Sequence, residues 1–345
     1  MDLRFPAPLR PGDLIGVTAP SSGVAGPERE RIDFSVAWLR ERGYRVELGE
    51  CLEGGTHVSA SRERRAAELN AMLTDPRVRA VVPPWGGETA IDLVDLLDHG
   101  AIAAAEPTWV VGYSDSSTWM LPLTLRSGLA TLHGDNLADT PYAVPDGLAH
   151  WLDVATATGP VTQRDSGLVA TWVRFEEDPR ATTWRGVGSG AWSTLDGAPV
   201  EATGRLVGGC LDTVAHLAGS PHGDVAAFAR EYGPTLVYLE ACDAGAFETC
   251  RMLHGLRLAG WFDDAAAILV GRTAAPDAAG FTQRDAVADA LGGLDVPVVL
   301  DLEVGHVPPH LPLLNGAVAR VVVDRDRREI TQSWPWPGVG ADWQA

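Results

Sequence analysis

The chain has no long apolar run: nothing in its 345 residues approaches the ~18 consecutive apolar residues of a membrane-spanning helix. The opening stretch MDLRFPAPLRPGD also lacks the continuous apolar core of a secretion signal. Cysteine is scarce. Cys51, Cys210, Cys242 and Cys250 form no C-x-x-C pair and no zinc-type spacing, which fits a reducing compartment. Basic charge is short too. With 27 Lys and Arg against 46 Asp and Glu, the formal charge of −19 argues against a nucleic-acid partner, whose phosphates need a basic surface. There is no internal repeat, no low-complexity tract, no nucleotide-phosphate loop and no metal motif. These absences leave a soluble, acidic, cytoplasmic protein as the expectation, with no cofactor and no membrane partner.

What is present suits a globular chain of about two domains with ample material for a core: 46% of residues are hydrophobic and 21% charged. Short apolar runs at Leu14–Thr18, Tyr44–Leu48, Val78–Val82 and Trp109–Val111 read as strands. Between them lie amphipathic helices. The first, from Pro27 to Arg42, turns Ile32, Val36 and Leu39 inward and is closed by Gly43. The second is capped by Ser61 and buries Ala66, Leu69 and Leu73. The third, Glu88–Asp98, carries Ala90, Ile91, Val94 and Leu97 on one side. Strands alternating with helices imply an α/β fold with a parallel, doubly wound sheet, whose ligands gather at strand carboxyl ends.

The pattern breaks between Asp146 and Glu201, where Trp151, Trp172, Trp184 and Trp192 stand among Gly, Thr, Ser and Arg. Each tryptophan alone is a packing anchor first. As a group, with Trp184 and Trp192 foremost, they suit the wall of a cleft that takes a flat substrate group. From Gly204 strands return at Thr235–Leu239, Ala266–Val270, Val296–Leu300, Ala317–Val323 and Glu329–Trp334. A helix over Gly245–Leu258 is expected to face Phe247, Cys250, Leu253 and Leu256 inward. The expected organisation is 1–150, a 151–200 connection, and 201–345.

The stretch Thr108–Ser117, TWVVGYSDSS, has the makings of a nucleophile elbow. An apolar strand ends in Gly112-Tyr113-Ser114, and a helix can begin at Ser116. Such a turn lifts the serine hydroxyl clear of the sheet. A serine needs a base and the base needs an orienting acid. Of nine histidines, His306 sits in the rigid Gly/Pro loop Val304–His310 at a strand's carboxyl end, while His133 can also line a site. Glu240, at the end of an apolar strand, is a candidate acid. Its competing role is a carboxylate at a helix N-terminus, and Asp301 and Glu303 compete for His306.

In this order, Gly112-Tyr113-Ser114-Asp115, Gly208-Gly209, Leu239-Glu240 and Gly305-His306 resemble the LD-carboxypeptidase family of serine peptidases, from about Leu9 to Val323. The family contains cytoplasmic murein tetrapeptide carboxypeptidases and microcin C immunity peptidases. The resemblance implies a Rossmann-like parallel-sheet N-terminal domain plus a smaller mixed α/β C-terminal domain, a cleft between them, and a homodimer. It also implies Ser114 as nucleophile, Glu240 as orienting acid and His306 as base. The amide of Asp115, with one from Gly86-Gly87, would make the oxyanion hole. Three departures accompany it: Cys210 stands where the family often has Asn, the sequence after His306 differs, and Pro122 is expected to kink the helix after the elbow.

For substrate, a murein peptide would need a carboxylate anchor, for which Arg272 is a candidate, with Cys210 near the site. An aminoacyl or peptidyl nucleotide would use the span Trp172–Trp192 for stacking, worth ~1–3 kcal/mol per base. A non-catalytic small-molecule binding protein and an α/β-hydrolase esterase are the alternatives from other classes; the esterase reading lacks its G-x-S-x-G.

Overall fold

The computed structural model describes residues 2–26, 28–54 and 56–335. The chain begins with β1 (Leu14–Val17), α1 (Glu28–Glu41), β2 (Arg45–Leu48), α2 (Arg62–Thr74) and β3 (Val78–Val81). There follow α3 (His99–Ala104), β4 (Trp109–Gly112), α4 (Ser117–Ser127) and β5 (Leu132–His133). β1 to β5 pair in parallel, in the order β5-β4-β3-β1-β2. β1 and β4 are buried along their whole length, as apolar runs covered by helices on both faces must be. The expected helix start at Pro27 lies outside the described residues; Ile32, Val36 and Leu39 are buried as the spacing requires.

One local expectation fails here. Glu88–Asp98 is a 3₁₀ turn over Ala90–Leu96, so its period of three buries Ala90 and Leu93 and leaves Ile91 exposed. Pro122 lies inside a continuous α4, on a helix so buried that packing holds it together despite the missing N–H.

The irregular segment holds α5 (Trp151–Thr156), β6 (Val161–Arg164), a hairpin of β7 (Leu168–Thr171) and β8 (Arg185–Ser189), and β9 (Ser193–Thr194). Then come β10 (Val200–Cys210), α6 (Leu211–Val214), α7 (Val225–Tyr232), β11 (Thr235–Glu240), α8 (Ala246–Leu258), β12 (Ala265–Gly271), α9 (Gln283–Leu291) and β13 (Val298–Leu302). The chain continues through β14 (Leu313–Leu314), β15 (Val318–Val323) and β16 (Arg328–Ser333). An eight-stranded sheet runs β6-β16-β15-β10-β11-β12-β13-β9, parallel across β10 to β13 and antiparallel at its flanks. On α8 the buried face is Ala246, Thr249, Leu253 and Leu256. Phe247, expected inside, points out, and Cys250 is half-buried.

Two joints lock the sheets together. β14 leaves the second sheet's part of the chain and pairs with β5 in the first. The elbow helix α4 rests on β10, where the Cys210 amide donates to Ser117 Oγ at 3.1 Å. The loop between β13 and β14 must therefore cross from one sheet to the other, and it carries His306.

Candidate active site

Ser114 closes β4 with φ of +63°, a left-handed backbone that a non-glycine residue adopts only when its surroundings impose it. The restraint comes from the next residue. The Asp115 carboxylate accepts from Ser21 Oγ at 2.6 Å, from the Ala90 amide at 2.9 Å and from Thr118 Oγ1 at 2.9 Å. One buried side chain thus ties together the loops after β1, β3 and β4. Only its backbone amide was foreseen from the sequence. Gly86 lies directly against the elbow: a Cβ there would stand 2.8 Å from Ser114 Oγ and 2.9 Å from the Asp115 nitrogen. That contact puts the Gly86-Gly87 strand end and the Asp115 amide beside one hydroxyl.

His306 reaches the same place from the crossing loop. Its Nδ1 is 2.8 Å from Glu240 Oε2, and Glu240 is fully buried at the end of β11. Gly305 packs on that carboxylate so closely that any side chain would displace it. The other carboxylate oxygen, Oε1, faces His133 Nε2 at 3.8 Å, and neither atom has a hydrogen-bond partner among the described residues. Burial would raise the Glu240 carboxyl, but the charge of His306, its hydrogen bond to Oε2 and the nearby His133 imidazole outweigh it and hold the group well below the ordinary range. Burial would lower His306; the Glu240 charge outweighs it and raises the imidazole to about 11. Glu303 and Asp301, the competing acids, are engaged elsewhere. Glu303 meets Arg272, Ser166 and Trp192, and Asp301 accepts from Ser193.

Ser114 and His306 line one cavity of about 560 Å³, together with Trp85, Trp172 and Phe175. Ser114 also borders a cleft of about 230 Å³ lined by Cys210, Cys242 and Thr118. The remaining expected substrate contacts are placed less simply. Trp172 is on the cavity wall, whereas Trp184 stands behind it, edge to face at 6.3 Å and stacked on Tyr142 at 3.8 Å. Trp192 is 1% exposed and donates to Glu303 in the core, so it touches no cleft. Arg272 is not a free anchor: it bonds Leu168 O at 2.6 Å and Glu303 at 3.3 Å, and lines a separate cavity of about 720 Å³ behind Glu240. A second buried pair, His310 with Asp135, packs against Tyr113 and Trp172. Sequence reading offered no signal for it beyond the histidine itself.

Fold and cleft define a class, a two-domain α/β enzyme of the serine hydrolase type. Models described as the LD-carboxypeptidase N-terminal domain and the LD-carboxypeptidase C-terminal domain match residues 15–134 and 203–321. The chain belongs to the LD-carboxypeptidase family and is a serine-type carboxypeptidase or amide hydrolase. A Streptomyces coelicolor protein that bears the name carboxypeptidase is 30% identical over 329 residues, covering 94% of each chain. A Bacillus subtilis protein named as a murein peptide carboxypeptidase is 25% identical over 319 residues, covering 91% of this chain and 90% of that one. The microcin C7 self-immunity protein of Escherichia coli is 24% identical over 350 residues, covering 95% and 96%. Its structure in complex with aspartyl sulfamoyl adenosine shares the fold, with a TM-score of 0.80 at 22% identity over 96% of this chain and 98% of that one. Family membership sets aside the non-catalytic binding protein and the α/β-hydrolase esterase. Among the described residues no helix is long and apolar enough to cross a membrane.

Proposed function

We propose that this chain is a cytoplasmic peptidase in which His306, oriented by Glu240, deprotonates Ser114 for attack on an amide carbonyl of an aminoacyl or peptidyl nucleotide. The observation that carries the reading is the 2.8 Å bond between Glu240 and His306 on the wall of the cavity that holds Ser114. Glu240 accepts Nδ1–H and so leaves Nε2 as the basic nitrogen. The Ser114 proton passes to Nε2 as the hydroxyl oxygen bonds the carbonyl carbon. The oxyanion forms against the Asp115 amide and one from Gly86-Gly87; a donor of this kind is worth ~2.7–4 kcal/mol. Nε2–H then protonates the leaving nitrogen, and water, deprotonated by the same imidazole, releases the acyl group from Ser114.

Trp85, Trp172 and Phe175 beside Ser114 favour a substrate with a planar group. The sequence contains no lysine, and Arg174, largely exposed and 3.5 Å from Glu176, is the arginine among the described residues lining that cavity. It suits the anionic linkage of an aminoacyl nucleotide. A murein peptide is the second reading, favoured by the same Arg174 as partner for a terminal carboxylate. The proposal includes a homodimer, for which Phe247 and Leu258, exposed on one face of α8, supply apolar surface. The test is hydrolysis of aspartyl sulfamoyl adenosine beside a murein tetrapeptide, with wild type and Ser114→Ala. Turnover of the first by wild type alone is expected; equal turnover by the variant would refute the nucleophile.

A further inference from the structure

Cys210 ends β10 and pairs in register with Glu240, which ends β11. Side chains in register on neighbouring strands leave the sheet on the same face, roughly 5 Å apart. Thiol and carboxylate therefore stand side by side, and His306 is laid against the carboxylate by the crossing loop. Cys210 Sγ, a Glu240 oxygen and a ring nitrogen of His306 all lie within 4.8 Å of one another. Cys210 and Glu240 are each 1% exposed, and among the described residues Glu240 Oε1 has no hydrogen-bond partner. The Cys242 thiol, two residues past Glu240, borders both cavities that hold Ser114, one of them lined by His306 as well. Amide hydrolysis as proposed above uses neither thiol.

We propose that Cys210, Glu240 and His306, with Cys242 as fourth donor, form a site for a soft divalent cation of the zinc class whose occupancy silences the hydrolase. Thiolate, imidazole and carboxylate are the donors that zinc takes in four-coordinate sites, whereas magnesium and calcium take oxygen cages. Bonds of about 2.0–2.3 Å require the donors to draw in to roughly 3.5 Å from one another; Cys210, Glu240 and His306, now within 4.8 Å, close by little more than about 1 Å, and Cys242, outside that group, turns in from the cavity wall. The cleft on the Cys210 side gives the thiol room and gives the ion an entrance. Binding balances by proton release: the cation replaces the proton on the His306 nitrogen that faces Glu240 and the proton on each thiol that joins. A carboxylate and an imidazole held by the ion no longer pass a proton to or from Ser114. That inhibitory consequence rests on the triad proposed above; the binding does not.

A second group of similar donors, Cys250, His254 and Asp289, lies half-exposed between α8 and α9 and has to be disabled in the test. Full-length His254→Ala protein, stripped of metal, is titrated with Zn²⁺ by calorimetry and with Co²⁺ by absorption. One ion per chain, a thiolate-to-cobalt charge-transfer band, and hydrolysis lost with zinc and regained with chelator are expected. Adding Cys210→Ser weakens zinc binding at least tenfold and diminishes the band; Cys242→Ser, a second variant in case the first misfolds, does the same to a smaller degree. Absence of the band, unchanged affinity in both variants, or full hydrolysis at saturating zinc would overturn the proposal. Zinc binding with the expected variant effects, in a protein that hydrolyses neither test substrate, would instead uphold the site and count against the triad.

Discussion

His306 Nδ1 lies 2.8 Å from Glu240 Oε2, across 66 residues of chain and at the junction of two sheets. Neither group is stable there alone. A carboxylate taken out of water at the end of β11 must be compensated, and the imidazole beside it does so while taking its orientation from the same bond.

Replacing Glu240 by Gln keeps the shape and removes the charge. The imidazole then loses the group that raises its proton affinity and fixes its tautomer. A fall in kcat of about 10⁴ is expected by analogy with other triads, with little change in KM. Steady-state kinetics on the purified variant checks it.

The raised His306 and lowered Glu240 set the pH dependence. The base must be neutral to act, so the ascending limb of kcat/KM lies above the ordinary histidine value of about 6.5, and in Glu240→Gln it moves down. For stability the signs are opposite at the two ends. The raised His306 stabilises fully below about 6.5 and loses its contribution as pH rises toward about 11; the lowered Glu240 contributes above about 4.5 and loses it in acid. The difference in Tm between wild type and His306→Asn therefore shrinks from pH 7 to pH 10. A difference that grew would contradict the assignment.

A methyl group at Gly86 meets Ser114 Cβ and Oγ, each at 2.8 Å. Gly86→Ala is expected to push the hydroxyl out of line and to lower kcat by 10²-fold or more. Because the strain is confined to a cleft wall, circular dichroism should show a folded protein.

The residues proposed as nucleophile, acid and base could be singled out in the sequence because each sits at a strand end that local pattern marks: Gly112-Tyr113-Ser114, Leu239-Glu240, Gly305-His306. The alternation that predicts a parallel sheet was legible for the same reason. What stayed hidden depends on partners distant in the chain. Trp192 is core because Glu303 receives its indole N–H, and Arg272 is spoken for because Asp165 and Glu303 surround it. The crossing of β14 into the first sheet involves two residues, too few for any period to register. Asp115 looked like an elbow amide, and its carboxylate turned out to fasten three loops.

His133 follows from the same lesson. Its Nε2 and Glu240 Oε1 face each other at 3.8 Å, neither atom having a hydrogen-bond partner among the described residues, so a small movement on substrate binding joins them. His133→Phe should lower kcat about tenfold, leave KM nearly unchanged and shift the pH limb, whereas a purely structural role would lower Tm and leave the limb in place.

The most direct measurement is covalent: fluorophosphonate labelling of the full chain, followed by peptide mapping by mass spectrometry. The account predicts a single adduct on Ser114, absent in Ser114→Ala and slowed at least 10²-fold in His306→Ala. An adduct on another residue, or equal labelling of the histidine variant, would contradict it.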